Sequence, residues 1–368
     1  MKVNLNKLFI FLSFSPMFFP NKPFLLIFLL PSLFYFIAKG GYKLFALISF
    51  SVTIGLLFFL RDCLLGYIDY SSLKIIYFFV SLFLAWDLYK KRLIDLLIVR
   101  KIFILYTVVN FIIILLQFLT PHLFVWSYIV ESEGQYLPFL DGRMFGMSGN
   151  PTHSGYLTML VTFLLISLRV NILYIVLSFI SVVLLLNKMS ILVLLSLGVL
   201  FYLFVVEKIM IKTSILIGGG VASFFIIVGV IMPYVQRWAE VGYDTHTITY
   251  RLDIYNYILS EFKKNNYLVF GDVDIYRMIS VDAFDSLPAL VIVKFGIFIF
   301  FIIYFLIFIL TPKGVMNFIL YLSLVIPSFT MVGFYNTLYI FPIFLLYFSA
   351  ILAIKRRKNE VSTCYSLS

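Results

Sequence analysis

The chain has little charge for its length. Asp, Glu, Lys and Arg make up only 12% of its 368 residues, whereas 63% are hydrophobic and the mean hydropathy is +1.08. A soluble domain of this size needs a more highly charged surface. The shortage of charge therefore excludes an ordinary soluble domain and predicts an all-α, polytopic integral membrane protein.

Cysteine and histidine are too rare and too scattered to build a redox or metal centre. The two cysteines, Cys63 and Cys364, lie near opposite ends of the chain, and His122, His153 and His246 are far apart. Neither set has the spacing of a disulfide framework or a metal site, and no cysteine–histidine nucleophile pair is indicated. We therefore expect no cofactor and no metal.

Basic residues outnumber acidic ones, 28 to 17, for a net charge of +11. Nucleic-acid binding is one interpretation of such an excess. Here, however, Lys and Arg lie in short segments between apolar runs, which is the distribution that membrane topology requires. We therefore expect the chain to have membrane lipids, and no nucleic acid, among its partners.

Apolar runs divide the chain into about twelve candidate membrane spans. No internal repeat or low-complexity linker separates them, so residues 1–368 are expected to form a single integral membrane domain. The first two runs are short and could instead form one re-entrant hairpin. The runs are 7–19, 23–38, 42–60, 73–89, 101–119, 151–168, 172–187, 189–206, 213–232, 287–310, 315–332 and 337–354.

The basic residues also predict an orientation. If the cluster at 355–358 is cytoplasmic, alternation places seventeen of the 28 Lys and Arg residues on the cytoplasmic side, all in short segments. Both termini are then cytoplasmic, and two long polar loops, 120–150 and 233–286, face outward. Because polar backbone is costly near a bilayer unless it is covered or lines a cavity, we expect these two outer loops to carry the chemistry.

The first loop ends in the segment Arg143-Met-Phe-Gly146-Met-Ser-Gly-Asn150-Pro151. Gly146 would allow backbone N–H groups to approach a ligand, and Asn150 before Pro151 predicts the N-cap of the next helix. Arg143 either binds an anionic ligand or lies beside lipid headgroups as a boundary residue.

The second loop contains a predicted amphipathic helix over 247–262. At about 100° per residue, Arg251 falls on the same apolar arc as Tyr255, while Asp253 and Asn256 lie opposite. A guanidinium in the first turn of a helix is well suited to an anion. The alternative is that Arg251 extends to lipid headgroups or pairs with an acidic residue of the loop.

Further polar residues surround the end of this loop. Asp282 and Asp285 precede the next span, where a carboxylate could act as general base or orient a sugar hydroxyl, or could simply be solvated. Lys294 lies inside that span and either extends outward or lines a cavity. The pair Asp272 and Asp274 resembles a nucleotide-sugar and metal site, but an outer location excludes that interpretation.

Several of these segments together resemble the O-antigen polymerase/ligase superfamily. The similar frames are Arg143-Met-Phe-Gly146…Asn150-Pro151, Asn187-Lys188-Met-Ser190, Arg251-Leu-Asp-Ile-Tyr255…Gly271 and Asp285-Ser-Leu…Lys294-Phe-Gly296. They cover roughly 140–300. A histidine expected of ligases is missing from 282–286, which favours the polymerase (Wzy-type) branch, although Asp272 replaces the second glycine usually found after Gly271.

The resemblance implies a metal-independent glycosyltransferase of the bacterial cytoplasmic (inner) membrane. It would join undecaprenyl-diphosphate-linked oligosaccharide repeat units of O-antigen or capsule on the outer face, working with a chain-length regulator and a flippase. Arg143, Arg251 and Asp285 would be catalytic, and the substrate would be bound by Gly146, Asn150, Tyr255, Gly271, Asp282 and Lys294. An O-antigen ligase and a lipid-linked oligosaccharide flippase are the alternatives.

Overall fold

The computed structural model describes residues 4–18, 26–67, 70–120, 144–185, 187–205, 253–260, 269–272, 286–329 and 339–365. Within these ranges the chain forms helices joined by turns and short loops, with no β-strand. The prediction of an all-α protein is confirmed for the described residues.

Five helices make up the amino-terminal part. They are α1 (Leu5–Phe14), α2 (Leu26–Ala38), α3 (Tyr42–Leu64), α4 (Lys74–Lys90) and α5 (Leu96–Leu119), with 3-10 turns at Ser15–Met17 and Tyr70–Leu73. The second half of the described chain adds α6 (Pro151–Ser167), α7 (Ile172–Leu184), α8 (Lys188–Val193), α9 (Val199–Val205), α10 (Leu287–Phe295), α11 (Ile297–Leu310), α12 (Val315–Val325) and α13 (Ile340–Tyr365). Residues 253–260 are also helical.

Two of these helices, α3 and α5, are long and apolar enough to cross a membrane, with 23 and 24 residues. Further apolar helices of 10–17 residues are present in the described part of the chain. A span needs about 20 residues. The helix lengths are therefore compatible with a membrane location, while the count of twelve spans stays a prediction.

Helix α13 is the centre of the bundle. It packs against α4 and α6, and its residues from Ile340 to Ile354 are buried on every side. Its Phe344 and Phe348 rings contact the rings of Phe78 and Tyr89 on α4. A helix that is apolar all round is buried rather than amphipathic, which explains why this helix lies inside the others.

The sequence predicts one continuous span over 287–310, but the structure has two helices there. Gly296 has φ +92°, and its N–H donates to the carbonyls of Val291 and Ile292, which ends α10; α11 begins at Ile297. Hydropathy cannot reveal this break, because the residues on both sides are equally apolar. Similarly, α8 and α9 are joined by a π-helical turn at Leu194–Gly198.

Candidate functional site

The structure places five of the nine predicted site residues, each at a junction between helices. These are Gly146, Asn150, Tyr255, Gly271 and Lys294. The other four, Arg143, Arg251, Asp282 and Asp285, lie outside the described residues. The contacts of the five described residues define the candidate site within the described part of the chain.

Gly146 is held by two buried amides of α5. Gln117 Oε1 accepts hydrogen bonds from the N–H groups of Phe145 (3.1 Å) and Gly146 (3.0 Å), and its Nε2 donates to the Gly146 carbonyl (3.2 Å). Asn110 Oδ1 accepts from Met147 N–H at 3.0 Å. These bonds satisfy the backbone of a loop that would otherwise be buried without partners.

The contacts give Gly146 a packing role, while its part in substrate binding stays a prediction. Its N–H is bonded to Gln117 and is not offered to a ligand. Its φ is +57°, and a Cβ there would lie 2.4 Å from Ser154 Oγ and 2.8 Å from Asn110 Oδ1. Gly146 is therefore required for the close approach of the loop to α5 and α6.

Asn110 and Gln117 are functional candidates that the sequence analysis missed. Both are fully buried and lie seven residues, two turns, apart on one face of α5. Two amides at this spacing in an otherwise apolar helix are a signal that could have been recognised, because a buried amide must find partners.

Replacing Gln117 with leucine is expected to lower the free energy of unfolding by about 1–3 kcal/mol, because two buried N–H groups lose their acceptor. Melting temperature in detergent measures this. Thr107→Val is the matched control, since among the described residues the Thr107 hydroxyl bonds the Phe103 carbonyl of its own helix and no other group. Equal melting of the two variants would contradict the assigned role of Gln117.

The amino-terminal ends of α6 and α8 meet side by side. Asn150 caps α6, as predicted, accepting from the N–H groups of Thr152 (2.9 Å) and His153 (3.3 Å). Asn187 caps α8 by accepting from Ser190 N–H (3.0 Å), and its Nδ2 donates to the Thr152 carbonyl (2.9 Å). The 146–150 and 187–190 segments therefore share one end of the bundle.

Two hydroxyl groups at this end are unsatisfied within the described part of the chain. The Oγ atoms of Ser154 and Ser190 are buried and have no hydrogen-bond partner among the described residues. Buried hydroxyls are normally bonded to protein, water or ligand. Both hydroxyls are therefore able to accept or donate a bond to a bound molecule.

The helix at 253–260 rests on the start of α10. Ile254 and Ile258 are buried and Asp253 and Asn256 are exposed, as predicted. Leu259, which the helical periodicity also places on the apolar arc, is instead 57% exposed. The Tyr255 hydroxyl is hydrogen-bonded to the hydroxyl of Ser286, which caps α10. Through this hydrogen bond, Tyr255 positions the helix at 253–260 against α10.

Gly271 and Gly296 allow two stretches of backbone to touch. A Cβ on Gly271 would lie 2.4 Å from the Lys294 carbonyl oxygen, and one on Gly296 would lie 2.2 Å from the Val269 oxygen. Asp272 N–H donates to the Val293 carbonyl at 2.7 Å. The end of α10 therefore packs against residues 269–272 of the second loop and is hydrogen-bonded to them.

Lys294 is buried rather than extended toward solvent. It lies in the last turn of α10 with 2% exposure, and its Nζ is 5.8 Å from the centre of the Phe295 ring. The carboxyl-terminal end of a helix favours a positive charge. Of the two alternatives for this residue, the structure supports the inward one.

Arg61 on α3 joins the same junction and was not predicted. Its Nη1 donates to the Phe270 carbonyl (2.6 Å) and its Nη2 to the Lys294 carbonyl (3.0 Å), while Nε and Nη2 both bond Asp62. Asp62 is fully buried and also accepts from the Ser72 hydroxyl. One guanidinium thus links segments more than two hundred residues apart in sequence.

The helices behind these junctions are tied together by tyrosines. Tyr304 and Ser328 share a hydrogen bond of 2.8 Å, and the Tyr156 hydroxyl donates to the Leu324 carbonyl at 3.3 Å. The 3-10 turn Ile326–Phe329 packs against both α8 and α10. The framework around the predicted site is therefore continuous through α6, α8, α10 and α12.

An apolar groove runs beside this framework. It has a volume of about 410 Å³ and follows α11 from Phe298 to Phe308. Its lining is almost entirely aromatic or aliphatic: Phe298, Phe301, Ile302, Tyr304, Phe305, Phe308 and Tyr321. A groove of this kind fits an apolar chain rather than a polar ligand.

Within the described ranges, no group of three or more His, Cys, Asp or Glu residues could hold a metal ion. No protein-family model, curated protein or solved structure matches this chain. The resemblance to the O-antigen polymerase/ligase superfamily therefore rests on the motifs quoted above.

Proposed function

We propose that this chain is a multi-pass enzyme of the bacterial cytoplasmic membrane that joins undecaprenyl-diphosphate-linked oligosaccharide repeat units at the outer face. The observation that carries the proposal is that segments holding the similar motifs meet in two pairs. Asn187 bonds the Thr152 carbonyl beside Asn150, and Gly271 packs on Lys294 and Gly296. Residues that are far apart in sequence but act on one substrate need such contacts.

The multi-pass arrangement is supported by the same physics. Helices α3 and α5 are long enough to span a bilayer, and shorter apolar helices pack with them. Short segments rich in Lys and Arg favour cytoplasmic termini, which leaves 120–150 and 233–286 on the outer side. An outer location fits a reaction on exported, lipid-linked sugars and excludes nucleotide-sugars as donors.

In the proposed reaction, a hydroxyl of the acceptor repeat unit attacks the anomeric carbon of the donor. The new C–O bond forms as the bond to the lipid diphosphate breaks, and the diphosphate leaves with the electron pair. Arg143 and Arg251 would stabilise the developing negative charge through planar, bidentate donors. Asp285, or alternatively Asp282, would take the proton from the acceptor hydroxyl.

The described framework supplies further parts of this proposal. The hydroxyls of Ser154 and Ser190 lie next to the caps of α6 and α8, where they could bond a phosphate or sugar oxygen. The aromatic groove along α11 would receive the polyprenyl tail. Both assignments depend on the lipid-linked substrate class being correct.

Arg143→Ala and Arg251→Ala are each expected to abolish polymer while the amount of protein in the membrane stays unchanged. Loss of one such donor typically costs about 10²–10³ in rate. Lysine at either position should rescue little, because an ammonium cannot reproduce the planar fork. Gel analysis of surface polysaccharide measures the result, with Arg100→Ala on the predicted cytoplasmic side as the control. A normal ladder in either alanine variant would remove that arginine from the mechanism.

Deletion of the gene tests the function itself. A polymerase deletion leaves surface acceptors that carry single repeat units, and complementation restores the ladder. A ligase deletion leaves no repeat on the acceptor, and a flippase deletion prevents export of the repeat altogether. Either of the last two patterns would contradict the proposed function.

One observation favours the flippase as the second candidate. The broken helix at Gly296, with Lys294 buried beside the break, resembles the discontinuous helices of transporters. Against it, the chain shows no internal repeat, and a flippase does not need a 54-residue outer loop fastened to the bundle. The deletion experiment separates these two functions directly.

A further inference from the structure

A cavity separate from the site above lies between the turn after α4 and the final helix, on the side that the sequence predicts to be cytoplasmic. Its volume is about 290 Å³. Residues from two distant parts of the chain line it: Arg92, Ile94, Leu96, Leu352, Lys355 and Arg356. Three cations and three aliphatic side chains therefore share one concave surface.

The cavity is positive, with no acidic residue in its lining. The two acids that flank Arg92 in sequence are bonded to other cations: Asp87 to Lys91 at 2.7 Å, and Asp95 to Lys7 at 3.4 Å. On the final helix, Glu360 follows Arg356 by four residues. Asp95 also caps α5. Among the described residues, neither Arg92 nor Lys355 has a carboxylate partner. The charge of these two side chains is thus available for an anion.

The position of Arg92 is fixed by its backbone. Its φ is +55°, a left-handed conformation that is unfavourable for a residue with a Cβ. The turn is nevertheless held by Arg92 N–H donating to Tyr89 (3.1 Å) and Leu93 N–H donating to Leu88 (3.0 Å). Lys355 is placed by its contact with the Tyr89 ring, at 5.7 Å. The turn therefore holds the backbone of Arg92 at the cavity, and Lys355 reaches the same place along the Tyr89 ring.

We propose that this cavity binds a phosphate group, with the headgroup of an acidic phospholipid as its source. Arg92 and Lys355 contact the phosphate, and Ile94, Leu96 and Leu352 form the apolar wall beside it. Adjacent cationic and aliphatic surfaces match a lipid, which is anionic at one end and apolar next to it. The proposal is independent of the polymerase function.

The test uses the purified full-length protein, delipidated in a neutral detergent. Phosphatidylglycerol, phosphatidylcholine and inorganic phosphate are each titrated while melting temperature and native mass spectra are recorded. Phosphatidylglycerol is expected to bind and to raise the melting temperature, as a ligand selective for the folded state must. Arg92→Ala with Lys355→Ala is expected to weaken that binding by about 30-fold, at about 1 kcal/mol for each charge.

Two control variants separate the cavity from general charge and from misfolding. Lys43→Ala with Arg100→Ala removes two exposed cations elsewhere and should leave the lipid effect intact. Arg92→Lys with Lys355→Arg keeps both charges and should retain most of the binding. If Arg92→Ala with Lys355→Ala lowers the melting temperature even without lipid, the charge-preserving variant still reports on the cavity.

The possible outcomes are distinct. A shift with phosphatidylglycerol that disappears only in the Arg92/Lys355 variant supports a lipid headgroup. Inorganic phosphate could give the same shift in melting temperature as phosphatidylglycerol, and this shift could also disappear in the Arg92/Lys355 variant. That result supports the anion site but assigns it to a soluble phosphate compound. Equal binding of phosphatidylglycerol by the wild type and the alanine variant would overturn the proposal, as would equal stabilisation by phosphatidylcholine.

Discussion

Gly296→Ala and Gly271→Ala are each expected to separate residues 269–272 from α10 and to lower the free energy of unfolding by at least about 3 kcal/mol. The reason is twofold. Each glycine has positive φ, +92° and +80°, where a side chain is strained. Each added Cβ would also meet backbone atoms at 2.2–2.4 Å, and backbone cannot rotate away as a flexible side chain can.

Two other glycines of the chain separate strain from collision. Gly66 has nearly the same φ, +82°, but nothing lies within 4 Å of its Cβ position, so Gly66→Ala measures strain alone, about 1–2 kcal/mol. Gly41→Ala has neither effect and should cost no more than about 1 kcal/mol, from replacing glycine at the N-cap of α3. The measurement is melting in detergent by fluorescence size-exclusion chromatography. If Gly296→Ala and Gly66→Ala have the same melting temperature, the backbones of residues 269–272 and α10 are not in contact as described.

Under the proposed function, Gly271→Ala and Gly296→Ala should also abolish polymer. Residues 269–272 belong to the loop that carries Arg251, and α10 follows the segment that carries Asp285. Separating them would move Arg251, proposed to stabilise the diphosphate, away from Asp285, the proposed base. Small displacements of catalytic groups lower the reaction rate strongly. Gly66→Ala should retain a ladder.

Removing either partner of the Arg61–Asp62 pair is the second change with a large expected effect. Asp62 is fully buried, and it would lose the guanidinium while keeping its charge in Arg61→Ala. Breaking a buried pair in this way typically costs about 3–5 kcal/mol. Asp62→Asn should destabilise less than Arg61→Ala, because an amide can still bond Ser72 and leaves no buried negative charge.

The surface pair of Asp87 and Lys91 is the matched control. Its atoms are as close, at 2.7 Å, but its side chains are more exposed. Asp87→Asn should therefore cost no more than about 1 kcal/mol. Equal losses of stability at the buried and the exposed pair would show that the Arg61–Asp62 geometry is wrong.

A double variant distinguishes stability from positioning at this pair. Arg61→Met with Asp62→Leu removes both charges and should recover much of the melting temperature lost in Arg61→Ala, because apolar replacement of a buried pair is often tolerated. It cannot restore the bonds to the carbonyls of Phe270 and Lys294. A stable double variant without polymer would identify Arg61 as a positioning residue, whereas a normal ladder would exclude that role.

The sequence alone predicted those features that depend on neighbouring residues. The all-α class followed from composition, since apolar chains in a bilayer must bond their backbone internally. The cap at Asn150 followed from its place before Pro151, and the burial of Ile254 and Ile258 opposite the exposed Asp253 and Asn256 followed from helical periodicity, although Leu259 is exposed. The number of spans, the orientation and the enzymatic role stay predictions.

The tertiary structure decided how the segments meet. Arg61 was overlooked because its partners, Phe270 and Lys294, are 209 and 233 residues away, and no local pattern encodes such contacts. The break at Gly296 was hidden because α10 and α11 are both uniformly apolar, so periodicity carries no signal there. Gly146 was expected to face a ligand, yet its N–H bonds Gln117. A sequence specifies which backbone groups need partners, but only the packed chain determines which partners they find.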